Sequence, residues 1–517
     1  MARPTGDAEA KPGGRGSAAR GDGGRVRRAA AAPPPGTPGG RAVVIVGGTV
    51  VDQLGCRRAD VVIGDGRVAA VGEAVERPVG AVVLDASDCL VTPGLVDLHA
   101  HLRQPGGERA ETVHSGCRAA ALGGYTAVVA MPNTDPAIDC AAVVHQVRAA
   151  AQGALCHVEV AGAITVGRAG ERLAPMAEMA SLGVRLFTDD GTGVQDAGLM
   201  RRAMEYARGL GILLAQHCED SALAAGGLMH EGAWSSRLGL PGVPSAAEEV
   251  MVARDLALVR CTGARMHFLH LSTAGSVALV AAAKAAGLPV TAEVAPHHLS
   301  LSDAELARFD PVYRVNPPLR GPDDVLALRL ACASGVVDAV ATDHAPHPAE
   351  AKEAPLDEAP PGMIGLQTAW PVTLAALHHG QPGLAALRGP GSPGTATTAS
   401  QPGLPSGATT GAARREPAEA GAGGGMALVE VVALMSWKPA RVAGLAVDQG
   451  GDQGGPIVAG APANLAVLDP SAQWQVDPGQ LASLSRNTPW AGRTMLGAVR
   501  HTVRLGEPVV IGQEAQR

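Results

Sequence analysis

The run Val96-Asp97-Leu98-His99-Ala100-His101-Leu102-Arg103 closes an apolar stretch, Leu90-Val91-Thr92-Pro93-Gly94-Leu95. On a β-strand, residues i and i+2 project from one face. His99 and His101 therefore leave the same side of a strand end, where two imidazoles can grip one metal ion. A His-x-His pair alone has a plain structural reading. It acquires chemical meaning only if other strand ends bring ligands to the same rim.

From Pro93 onward, short apolar runs alternate with longer helix-type patterns. The strand candidates are Leu95–Leu98, Thr126–Met131, Val158–Ile164, Val184–Thr188, Ile212–Gln216, Met266–Leu271, Val290–Val294 and Ala339–Thr342. The stretches 109–122, 141–152, 196–209, 245–261 and 273–286 have helical composition. Eight β-then-α units predict an α/β fold, a closed (β/α)8 barrel of the TIM type. Active residues in such a barrel sit at the C-terminal ends of its strands.

The flanks read differently. Residues 1–41 are rich in Arg, Ala, Gly and Pro and predict a disordered tail. Residues 42–92 carry short strands (Ala42–Val46, Asp60–Ile63, Val68–Val71, Ala81–Leu84) and form the first part of a small β-sandwich. The barrel spans 93–445, with a Gly/Pro/Ala/Thr/Ser-rich insertion at 380–425 that lacks the apolar side chains needed to fold. Residues 446–517 return to β patterning and supply the second part of the sandwich.

Composition excludes several classes. The 517 residues are 46% hydrophobic but only 2% aromatic, so the core is built from Ala, Val, Leu and Ile. A net charge of −7 without a basic stripe speaks against nucleic-acid binding. No run is apolar enough to span a bilayer or act as a signal-peptide core, so no membrane role is expected. Eight scattered cysteines without a C-x-x-C pair fit free thiols in a reducing cytoplasm.

The remaining strand ends supply the missing ligands. The fourth ends in Asp189-Asp190, the fifth in His217, the sixth in His270 and the eighth in Asp343. With His99 and His101, four histidines and two carboxylates converge on one rim. That set suits two metal ions sharing a carboxylate and a water.

Seven runs now carry a resemblance. They are Pro93–Gly106, Met131-Pro132-Asn133-Thr134, Phe187-Thr188-Asp189-Asp190-Gly191, His217-Cys218-Glu219-Asp220, Pro296-His297-His298-Leu299, Val315–Arg320 and Ala341–His347. In these the chain resembles bacterial dihydroorotases of the longer, type I class, in the amidohydrolase superfamily. The resemblance covers roughly residues 42–379 and 426–517. It implies that His99, His101 and Asp343 hold one divalent metal, zinc by preference, and that His217 and His270 hold a second. Many relatives bridge the pair with a carboxylated lysine, but this chain has no lysine between Lys11 and Lys284. The type I pattern places Asp190 there, with Asp189 as the alternative.

The implied reaction is the reversible cyclisation of N-carbamoyl-L-aspartate to dihydroorotate in pyrimidine synthesis. The two metals would activate a water, with Asp343 as general base and then acid. Arg103 would take the substrate carboxylate, joined by Asn133, Asn316 and His347. The loop after the eighth strand departs from the family: Pro361 precedes Gly362 where an aromatic is usual, so its backbone contact is expected to survive without the apolar lid. A homo-oligomer and association with aspartate transcarbamoylase are further implications. Two rival readings are a hydantoinase or allantoinase, which typically keep the lysine, and a non-catalytic scaffold for the transcarbamoylase, which would have lost ligands.

Overall fold

The computed structural model of the chain describes residues 41–379 and 425–517. The expected tail and the expected insertion fall almost wholly outside the described residues.

Eight parallel strands form at the predicted places: Leu95–Ala100, Tyr125–Ala130, His157–Val160, Leu186–Thr188, Leu213–Gln216, Met266–Phe268, Val290–Val294 and Ala339–Val340. Strands one to three pair in one sheet and strands four to eight in another. Parallel bridges Gly162–Phe187 and Ala100–His344 join the two sheets at both seams and close the barrel. The helix Ala197–Leu210 shows how the outer layer is specified. Asp196 caps it by accepting from the Leu199 N–H, and Gly211 ends it at φ 69°. Leu199, Met200, Ala203, Met204 and Ala207 form its buried stripe.

Alternation along the strands sorts the core into two layers. Val96, Leu98, Ala127, Val129, Met131, Leu213 and Ala215 fill the barrel, while Leu95, Val128, Ala130 and Leu214 meet the helices. In the first strand this alternation breaks. Val96 and Leu98 face inward, so strict alternation would turn His99 and His101 outward. The register against the second strand shifts between Asp97 and Ala100. Such a bulge re-aims side chains, and both histidines turn into the barrel mouth.

Segments from both sides of the barrel share a seven-stranded sheet. Leu90–Pro93 pairs in parallel with Thr49–Asp52 and antiparallel with Leu465–Gln475. A four-stranded sheet around Val43–Val46 and Asp60–Gly64 packs on it through Ile45, Val61, Ile63, Val91 and Val467. The chain passes directly from Pro93 into the barrel through Gly94, where a Cβ would come within 2.1 Å of Thr126 Oγ1. Among the described residues no helix is long and apolar enough to cross a membrane, and no disulfide forms.

Candidate active site

Five strand ends deliver six side chains to one buried cluster: His99, His101, Asp190, His217, His270 and Asp343. Asp190 lies between two histidine pairs. Its Oδ2 is 3.4 Å from His99 Nε2 and 3.5 Å from His101 Nε2. Its Oδ1 is 3.4 Å from His270 Nε2 and 3.6 Å from His217 Nδ1. Asp343 Oδ1 is 3.2 Å from His101 Nε2 and 3.6 Å from His99 Nε2. Two triads are close enough to hold an ion, His99–His101–Asp343 and His99–Asp190–His270. His217 is outside both, though its Nδ1 is 3.0 Å from His270 Nε2.

These spacings fit a cation. Tetrahedral ligands with bonds of about 2.0–2.1 Å stand about 3.3 Å apart. Most of the gaps are long for hydrogen bonds, and the buried His99 Nε2 has no hydrogen-bond partner at all. A buried polar atom left unpaired costs about 1–3 kcal/mol, which a metal ion would relieve. Nitrogen and carboxylate donors of this kind suit zinc and neighbouring divalent metals.

The charges are mutually adjusted. Burial opposes ionisation of Asp190, yet the charge of His99 and hydrogen bonds from His217 and His270 hold its carboxyl well below the usual range. Burial also opposes ionisation of Asp343, and His101 and His99 overcome it. His99 is disfavoured as a cation by burial but raised by Asp190.

Asp189 has a different task. It accepts from the Ile164 and Thr165 N–H groups at 2.9 and 3.0 Å and from Thr165 Oγ1. It thus clasps the fourth strand end to the third. Three residues at the mouth, Arg103, His270 and Asp343, hold positive φ of 58°, 30° and 47°. Such conformations cost non-glycine residues on the order of 1–3 kcal/mol and gather at functional sites.

Around the cluster, Asn133 Oδ1 accepts from His101 Nδ1 at 2.7 Å, leaving Nε2 of that ring facing the carboxylates. Asn316 Nδ2 is 3.3 Å from both His217 Nε2 and Glu219 Oε1. Arg103 Nε donates to the Pro346 carbonyl at 3.2 Å, and its Nη2 lies 3.5 Å from His347 Nε2. His347 is pushed down to about 3 by burial and by the charge of Arg103. Its Nε2 donates to the Pro361 carbonyl at 2.9 Å, while the Pro361 ring is exposed. Gly362 is buried at φ 138°, and a Cβ there would come within 2.8 Å of Ala345 Cβ and 2.9 Å of His347 Nε2.

Two further buried carboxylates, absent from the expected site, support the cluster. Glu293 Oε1 accepts from His99 Nδ1 at 2.9 Å, and its Oε2 accepts from His267 Nε2 at 3.1 Å. Burial opposes its charge, but His267 and His99 hold it down at about 2. Asp97 accepts from the Thr342 N–H at 2.8 Å and from Thr342 Oγ1, tying the first strand to the eighth. The available signal was a lone acid inside each apolar strand, since a buried charge needs partners.

The chain was compared with known proteins. It is 46% identical over 465 residues to the dihydroorotase of Anaeromyxobacter dehalogenans (strain 2CP-C), covering 88% of this chain and 95% of that one. The chain belongs to the dihydroorotase family. The dihydroorotase of Mycobacterium leprae (strain TN) is 44% identical over 461 residues, covering 89% and 96% of the two chains. A Dihydro-orotase-like family model matches residues 88–276. Among solved structures, the L-hydantoinase of Arthrobacter aurescens superposes with a TM-score of 0.74 at 23% identity, covering 92% of this chain and 97% of that one. The dihydropyrimidinase of Brevibacillus agri NCHU1002 gives 0.72 at 21%, covering 92% and 96%. These likenesses show that the family's barrel fold is present here.

Proposed function

We propose that the chain catalyses the reversible cyclisation of N-carbamoyl-L-aspartate to (S)-dihydroorotate and water. The observation that carries this reading is Asp190, whose two oxygens face two histidine pairs beside Arg103. Two divalent ions, zinc by donor chemistry, would be held by His99, His101 and Asp343 and by His217 and His270, with Asp190 shared. When bound, they supply polarisation of the reacting carbonyl and a water acidic enough to react at neutral pH.

The protein's own groups do the rest. In ring opening, Asp343 takes the proton of the attacking water at Oδ2, the oxygen turned away from His101 and His99. It then returns that proton to the departing ring nitrogen. Its lowered pKa keeps it ionised until then. Arg103 binds the substrate carboxylate with its guanidinium fork. Asn133, Asn316 and His347 orient the substrate, and the Pro361–Gly362 backbone lines the rim. Cyclisation runs the same path backwards.

The deciding assay is loss of dihydroorotate absorbance beside parallel incubations with hydantoin and allantoin. Turnover of hydantoin without dihydroorotate would sink the reading. The aspartate at the bridging position disfavours the hydantoinase and allantoinase alternative. The gathering of all six cluster residues disfavours a non-catalytic scaffold. The reading keeps the division into 42–92, 93–445 and 446–517, a cytoplasmic setting, a homo-oligomer and association with aspartate transcarbamoylase. Size-exclusion chromatography and co-purification test the last two.

A further inference from the structure

Arg168 is left without a task by the chemistry above. It lies beyond the third barrel strand, next to Gly167, with φ of 55°. Its Nη2 donates to the backbone carbonyl of Asp190. Its Nε is buried and has no partner. Among the described residues neither Arg168 nor Arg103 forms an ion pair with a carboxylate; their side chains meet carbonyl oxygens and, for Arg103, the His347 ring. Of the acids near them, Asp190 and Asp343 are turned toward the histidines and Asp189 toward the Ile164 and Thr165 backbone.

Arg168 and Asn133 meet beside Gly191. Gly191 has φ of 83°, and a Cβ built on it would lie 3.4 Å from Arg168 Nη2 and 3.7 Å from Asn133 Nδ2. Gly191 is exposed, so solvent reaches this corner of the rim. Asn133 engages the cluster through Oδ1, which leaves its Nδ2 donor free. A guanidinium with an unpartnered N–H beside a spare amide donor, at the rim that also carries Arg103, is matched by an anion with several acceptor oxygens.

We propose that Arg168 is a substrate-binding residue, a second guanidinium for the carboxylate common to dihydroorotate and N-carbamoyl-L-aspartate. The assignment rests on the functional reading above and adds to it a residue outside the motif runs. Loss of one charge-assisted contact is expected to weaken binding of both substrates by on the order of tenfold or more.

The test is steady-state kinetics in both directions on the metal-loaded full chain. Wild type is compared with Arg168→Gln, Arg168→Lys and, as a control for net charge, the exposed Arg172→Gln. Arg168→Gln should raise KM in both directions by roughly tenfold or more with kcat within about threefold of wild type. Metal content and melting temperature should stay unchanged. The equilibrium constant ties the two directions together, so kcat/KM must fall by the same factor in each. Arg168→Lys should recover part of the loss, and Arg172→Gln should match wild type. KM values within about twofold of wild type would overturn the assignment. So would a fall in kcat or metal content at unchanged KM, which would make Arg168 a brace for the Asp190 carbonyl. A wild-type chain inert toward dihydroorotate would instead sink the functional reading and take this assignment with it.

Discussion

Glu293 stands 2.9 Å from Nδ1 of His99, on the opposite side of that ring from Asp190. A carboxylate there keeps the proton on Nδ1 and leaves Nε2 bare for a metal. Glu293→Gln removes the charge while preserving the shape. Its affinity for zinc should drop about 10–100-fold, read by competition with a chromophoric chelator. Wild-type affinity in that variant would rule out a tuning role for Glu293.

Adjacent aspartates should fail in different ways. Asp190 faces four histidines, whereas Asp189 clasps Ile164 and Thr165. Asp190→Asn should lose bound metal by elemental analysis. Asp189→Asn should keep its metal but unfold at lower denaturant, by about 1–3 kcal/mol for the disrupted buried hydrogen bonds. The reverse pattern would exchange the two roles.

Asp343→Asn tests the proton shuttle. The variant should fold and still bind dihydroorotate, with kcat down about 10²–10⁴-fold. Binding is followed by calorimetry and turnover by absorbance. Activity near that of wild type would eliminate Asp343 as base and acid. Prolonged chelation of the wild type should silence it, and added zinc should restore it.

Asp255 gives a pH signature remote from the site. It is wholly buried in the helix Ala246–Thr262. Its Oδ1 accepts from Arg254 Nε and Nη2, and its Oδ2 has no partner. Burial pushes its carboxyl from 3.8 up to about 6. Between roughly pH 4 and 6 the folded chain therefore holds a proton that the unfolded chain has released, so this group's contribution to stability falls as pH rises. Asp255→Asn removes that dependence. The unfolding free energy of the variant minus that of wild type should rise by about 1–3 kcal/mol across this window and then level off. A flat difference would refute the shift.

The barrel and its rim were legible because each strand is an apolar run and five of the eight runs end in a residue of ligand type. Several apolar runs outlast their strands, as Ala339–Thr342 does past Val340. Val158–Ile164 stops at Val160 and Met266–Leu271 at Phe268, although Ala161, Ile164 and Leu271 remain buried. Apolar patterning reports burial, and burial continues past the last ladder hydrogen bond where the chain turns to present Asp189's partners and His270. The bulge in the first strand is a property of its pairing with Tyr125–Ala130 and leaves no mark on local sequence. Glu293 and Arg168 were passed over for a related reason: their partners lie on other strands and loops.

The strand Leu90–Pro93 leads into His99 and His101, yet one of its two edges is closed by Leu465–Gln475. Thr92 and Ala466, which meet across that edge, are 374 residues apart. On a ribosome adding 5–20 residues each second, the edge waits about 20–75 s for its partner. Throughout that time one edge of this apolar strand stays open beside the half-built cluster, the kind of edge that recruits other chains. A slow stretch of translation downstream of the barrel is therefore expected to show first as lost yield.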